Sequence, residues 1–117
     1  VWKAEDNMID WSRLNELRDE VGADDFDEVV TLFVEEAEET IERLSPDATA
    51  DALEADLHAL KGSALNLGFS ELAEICARGE KLAKLGDTSG IEFDEAKQSY
   101  AMSKAALMEK LGTPDAA

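Results

Sequence analysis

Leu53, Leu57, Leu60, Ala64 and Leu67 recur at three- and four-residue spacing, and Gly68 follows at once. That period predicts an amphipathic helix with one apolar stripe and a defined stop. The same period recurs in four other segments. Leu14, Leu17 and Val21 mark a short helix from about Asp10, stopped by Gly22. Phe26, Val29, Val30, Phe33, Ala37, Ile41 and Leu44 mark a long one, with Asp25-x-x-Glu28 as a candidate capping pattern and Ser45-Pro46 as its end. Leu72, Ile75, Cys76, Gly79, Leu82 and Ala83 follow Ser70 as a candidate cap, and Gly86 to Gly90 reads as a polar turn. Phe93, Tyr100, Leu107, Met108 and Leu111 mark the last helix. Alternating patterns that would predict strands are missing. Short connections between long helices favour antiparallel neighbours, so the expectation is an all-α, up-down-up-down four-helix bundle with an additional short N-terminal helix as a lid.

The only histidine of the 117 residues, His58, lies on the stripe-bearing helix that Gly68 ends. At ~100° per residue it sits about 140° from the stripe centre and Gly62 about 180° from it, so both face water. Lys61 and Gly62, three and four residues on, are the surface neighbours of the imidazole. An exposed imidazole with a reference pKa of about 6.5 carries a free nucleophilic lone pair much of the time near pH 7. Gly62 costs a helix interior roughly 1 kcal/mol relative to alanine, and because it points away from the apolar stripe, access to His58 accounts for it better than packing does. Leu65, about 120° from the stripe centre, is either an exposed docking spot or covered by a neighbouring helix. If residues 68–70 reverse the chain about Phe69, Glu80 lies as far after the turn as His58 lies before it. A carboxylate at that level could bond one ring nitrogen and leave the other free; the plainer reading of Glu80 is a solvated carboxylate. Lys61 has no acid within one turn of its own helix, so it meets either a phosphoryl group or an acid from another helix, Glu80 being nearest. Lys84, one turn beyond Glu80, is a second candidate for phosphate support. Gly79 and Cys76 read as packing positions, and Trp2 and Trp11 as lid or terminal packing.

The run His58-x-Leu60-Lys61-Gly62-Ser63-x-x-x-Leu67-Gly68 resembles the phosphoacceptor motif of histidine-containing phosphotransfer (HPt) domains of two-component phosphorelays. Ile9-Asp10-Trp11-x-x-Leu14, the acidic helix ending near Leu44, and Leu72-Ala73-x-x-Cys76 with Glu80 extend the likeness over roughly Ile9 to Leu111. The resemblance implies that His58 takes a phosphoryl group on Nε2, with a Glu or Gln at position 80 orienting the ring. It also implies receiver domains of response regulators and a hybrid sensor histidine kinase as partners, the receiver supplying an acidic pocket and Mg²⁺. The predicted role is a phosphorelay intermediate, a carrier rather than an enzyme. The alternative is a docking module that binds or sequesters receivers without being phosphorylated.

Composition narrows the rest. A formal charge of −17, from 28 acidic and 11 basic residues, disfavours nucleic acid and anionic membrane surfaces. One cysteine and no signal-like or membrane-spanning apolar run lead to the expectation of a monomer in the reducing cytoplasm. No glycine-rich nucleotide loop and no second histidine are present, so neither ATP nor a metal or other cofactor is expected to bind this domain. The expected organisation is an N-terminal extension or cloning remnant over residues 1–8, the HPt domain over 9–112 and a polar tail over 113–117. A fragment of a larger sensor kinase fits the same chain.

Overall fold

The computed structural model describes residues 8–111. Trp2 and the tail residues 113–117 lie outside that range. Within it the chain forms five α-helices: α1 (Trp11–Val21), α2 (Ala23–Arg43), α3 (Ala50–Leu67), α4 (Ser70–Lys84) and α5 (Phe93–Leu111). A single 3-10 turn, Thr88–Gly90, interrupts the expected polar connection and lets Ile91 turn inward, where it is buried. Among the described residues the only β-type pairing is an isolated bridge between Ile9 and Phe69.

Helix starts follow local chemistry only in part. Asp10 caps α1, its carboxylate accepting from the backbone amides of Ser12 and Arg13 at 3.1 and 3.3 Å, and Thr49 caps α3 through Ala52 N–H. The Asp25-x-x-Glu28 pattern does not cap α2. That helix starts three residues earlier than such a cap would place it, at Ala23, behind Gly22, whose φ of +88° makes the corner from α1 without a side-chain bond. Ser70 is likewise the first residue of α4 rather than its cap. Its hydroxyl donates to Met8 O across the chain at 3.4 Å, and the capping position falls to the buried Phe69.

Packing converges on the α3–α4 hairpin. Leu53, Leu57, Leu60, Ala64 and Leu67 of α3 are all buried, as the stripe predicted, and they meet Leu72, Ile75, Cys76 and Ala83 of α4. Burying each leucine-sized side chain stabilises the fold by about 1.5–3 kcal/mol. Gly79 lets the two helices close up, because a Cβ there would lie 3.0 Å from Leu57 Cδ1. Burial pushes the Cys76 thiol up to about 12, which leaves it an inert core residue. The stripe of α2 is rotated from the expected one: Phe26, Val30, Val34, Ala37 and Thr40 are buried, while Val29, Phe33 and Ile41 are half-buried. Thr40 is accommodated because its hydroxyl donates to Glu36 O at 3.0 Å.

Two features fix the outer helices. Tyr100 of α5 packs on Phe69 with ring centroids 6.1 Å apart, and its hydroxyl donates to Glu38 of α2 at 2.7 Å. Lys104 reaches the same carboxylate at 2.6 Å, and both contacts hold the Glu38 carboxyl below its usual range. In the same turn of the hairpin, next to Phe69, Gly68 adopts a left-handed φ of +74° and its carbonyl accepts from Asp10 N–H at 2.6 Å.

A Cβ on Gly68 would stand 2.6 Å from Asp10 O in a backbone region that L side chains avoid. Gly68→Ala is therefore expected to destabilise the chain by about 2 kcal/mol or more. Urea unfolding checks this, and an unchanged midpoint would remove the latch from the account.

Candidate functional site

His58 stands on the outer face of α3, its side chain 69% exposed. Across the hairpin, Glu80 of α4 is the reverse case: a carboxylate only 10% exposed. Its Oε2 lies 2.9 Å from His58 Nδ1. The two residues meet because the Gly68–Phe69 turn puts positions equidistant from Phe69 level with one another, as the spacing predicted.

Glu80 is also where the cations of the site converge. Lys61 Nζ lies 2.8 Å from Oε1, and Lys84 Nζ lies 3.9 Å from Oε2. Of the two readings open for Lys61, the cross-helix ion pair is the one seen at rest. The Lys61 ammonium, followed by the His58 contact, holds the Glu80 carboxyl below its usual range against the opposing pull of burial. An ionised carboxylate can only accept, so the proton of this contact belongs to His58 Nδ1. In the neutral ring that assignment leaves the lone pair on Nε2, the nitrogen turned away from Glu80.

The approach to that nitrogen is open. Among the described residues a Cβ built on Gly62 meets nothing within 4 Å, so packing does not explain the glycine. Leu65, one turn further on, is 55% exposed; the neighbouring helix does not cover it.

Two residues near the site carried no assigned chemistry in the sequence. Asn66 donates from Nδ2 to Gly62 O at 3.1 Å, and Arg13 of α1 donates from an Nη to Asn66 Oδ1 at 3.2 Å. This bridge ties the N-terminal helix to the backbone carbonyl beside the histidine. The local half was readable, since an amide at i+4 can reach back to a helix carbonyl. Arg13 was not, because its partner lies 53 residues away. Among the described residues no group of three or more His, Cys, Asp or Glu is placed to hold a metal ion, and no helix is long and apolar enough to cross a membrane.

The family model of the Hpt domain matches residues 28–106, which is more than half of the chain, and the chain belongs to that family. It is thus a phosphotransfer module of two-component signalling, of the kind that meets receiver domains and kinases in phosphorelays. Neither the curated proteins nor the solved structures include a match.

Because Glu80 titrates below its usual range when folded, its ionised form stabilises the native state above the unfolded value of about 4.3. That stabilisation is lost as pH falls through the lower folded value. The advantage of the wild-type chain over Glu80→Gln is expected to be full at neutral pH and to shrink with acidification below about 4.3. Denaturant unfolding of both proteins across pH checks it; a difference independent of pH would show that Glu80 is merely solvated.

Proposed function

We propose that His58 is the covalent way-station of a phosphorelay, accepting a phosphoryl group from an aspartyl phosphate on one receiver domain and passing it to an aspartate on another. The observation that carries this is the contact between the exposed His58 ring and the buried, ionised Glu80. In the step itself the Nε2 lone pair attacks phosphorus, the N–P bond forms, the P–O bond to the aspartyl carboxyl breaks, and that carboxylate leaves. Nδ1 keeps its proton throughout, so the ring becomes a phosphoimidazolium whose positive charge faces Glu80. The carboxylate thus stabilises charge that develops along the reaction coordinate. Transfer to the second receiver reverses these bond changes.

The other residues take supporting parts. Lys61, and more weakly Lys84, stand close enough to Glu80 to offer their ammonium groups to the phosphoryl oxygens of a docked donor. Gly62 leaves room for in-line approach, a geometric demand that dominates phosphoryl transfer. Leu65 offers an apolar contact to the receiver's docking surface. Mg²⁺ is expected to arrive with the receiver. A hybrid sensor histidine kinase is the proposed upstream partner, the chain acting as a cytoplasmic monomer whose helices α2 to α5 run up-down-up-down.

Treatment with a small phosphoramidate donor is expected to add one acid-labile phosphate to the wild type and none to His58→Gln, read by intact mass. No phosphate on a folded wild-type chain, with a donor known to phosphorylate other histidines, would leave only a receiver-docking module.

Gly62→Leu separates access from folding. Open space around Gly62 and the removal of a helix-interior glycine predict stability raised by about 0.5–1 kcal/mol. Transfer from a phosphorylated receiver is expected to fall at least about tenfold, as a side chain enters the approach path. Normal transfer rates would remove Gly62 from the mechanism.

A further inference from the structure

A concave surface lies on a different side of the molecule from His58. Glu71, Glu74, Ile75 and Arg78 of α4 face Glu95, Gln98, Ser99 and Met102 of α5 across a groove of about 450 Å³ that Met8 also lines. Each helix contributes positions i, i+3, i+4 and i+7, one continuous stripe apiece, which is the seating that a third helix needs. On α4 these residues lie between about 120° and 180° around the helix from Glu80, so the groove does not share the His58 face.

Its chemistry selects the occupant. The floor is apolar, with Met8 and Ile75 buried, and Met102 is left 43% exposed. Methionine adapts to varied partners at such positions. The rim is acidic: Glu71, Glu74 and Glu95 line the groove, with Glu92 adjoining. Arg78, the one cation among the described residues of the lining, is engaged by Glu92 at 3.2 Å. Glu92 and Glu95 sit within hydrogen-bonding reach of each other, and this like-charge contact pushes the Glu95 carboxyl up. Ser99 of the groove wall is 3% exposed, and its hydroxyl has no hydrogen-bond partner among the described residues. A second copy of this chain is a poor occupant, since a net charge of −17 opposes self-association through an acidic face.

We infer that the α4–α5 groove docks a basic amphipathic helix of a partner protein, its apolar side on Met8, Ile75 and Met102 and its lysines or arginines on Glu71, Glu74 and Glu95. This surface goes beyond the phosphotransfer reading and does not depend on it. Its partner binds while the opposite side of α4 remains open to a receiver.

The test uses an amphipathic helical peptide of leucine and lysine, with a leucine–glutamine peptide of the same pattern beside it. Amide shifts of the ¹⁵N-labelled protein are expected along the facing stripes of α4 and α5, including Ser99 and Met102, with the lysine peptide bound the more tightly. Charge alone is controlled by two triple variants of equal net charge. Glu71→Gln/Glu74→Gln/Glu95→Gln is expected to raise Kd about tenfold or more, whereas Glu28→Gln/Glu35→Gln/Glu39→Gln on exposed positions of α2 changes it less than about threefold. Phosphorylation of His58 by phosphoramidate is expected to proceed unchanged with the peptide bound. Equal losses in both triples, equal binding of both peptides, shifts centred on α2 or the His58 face, blocked phosphorylation, or no binding would each overturn the proposal. So would concentration-dependent dimerisation of the wild type through these stripes.

Discussion

The functional end of this molecule depends on one carboxylate kept charged where water scarcely reaches it. Glu80 is nearly buried, which by itself favours the protonated acid, yet Lys61 and His58 together pull it the other way. A buried charge persists only when paired, and removing a partner from such a pair costs far more than the pair contributes. The arrangement is therefore better understood as orientation than as stabilisation. It holds one imidazole edge on the protein and presents the other to solvent.

That orientation rests on the backbone more than on the side chains. The α3–α4 hairpin closes through Phe69 N–H on Ala64 O at 2.8 Å and through the left-handed Gly68, with Phe69 wholly buried beneath it. A shift of one residue in this turn would rotate Glu80 by ~100° and move it 1.5 Å along its axis, out of reach of Nδ1. Gly79 maintains the separation from the other side by admitting Leu57. The ring is therefore only as well placed as the hairpin beneath it.

Much of this was legible from the order of residues. Five helices follow from apolar spacing, and the level of Glu80 with His58 follows from counting outward from Phe69. The openness beside Gly62 follows from its place opposite the stripe. What sequence could not supply was long-range or polar in origin. The start of α2 is set by the positive φ of Gly22 and not by a capping side chain, so Asp25 misled. Ser70 was claimed by Met8, far away in the chain, and Arg13 by Asn66. On α2 the half-buried Val29, Phe33 and Ile41 broadened the apolar pattern and hid the true centre of the stripe. Ser99 and Ser103 lie buried in α5, where hydrophobicity gives no sign of them.

The bond between Asp10 N–H and Gly68 O has a thermodynamic consequence for how this chain opens. With the Ile9–Phe69 bridge and the Ser70–Met8 bond it joins the start of α1 to the hairpin turn, backed by the Arg13–Asn66 bridge and by Leu14 and Leu17 in the core. The hairpin, by contrast, closes through its own bonds and its own leucines. Detaching α1 breaks the first set and leaves the second intact. Partial opening therefore belongs to the N-terminal layer as a sub-global event, with slow amide exchange surviving in α3 and α4 while it fades in α1. The reactive ring stays level with its carboxylate through fluctuations that detach the N-terminal helix.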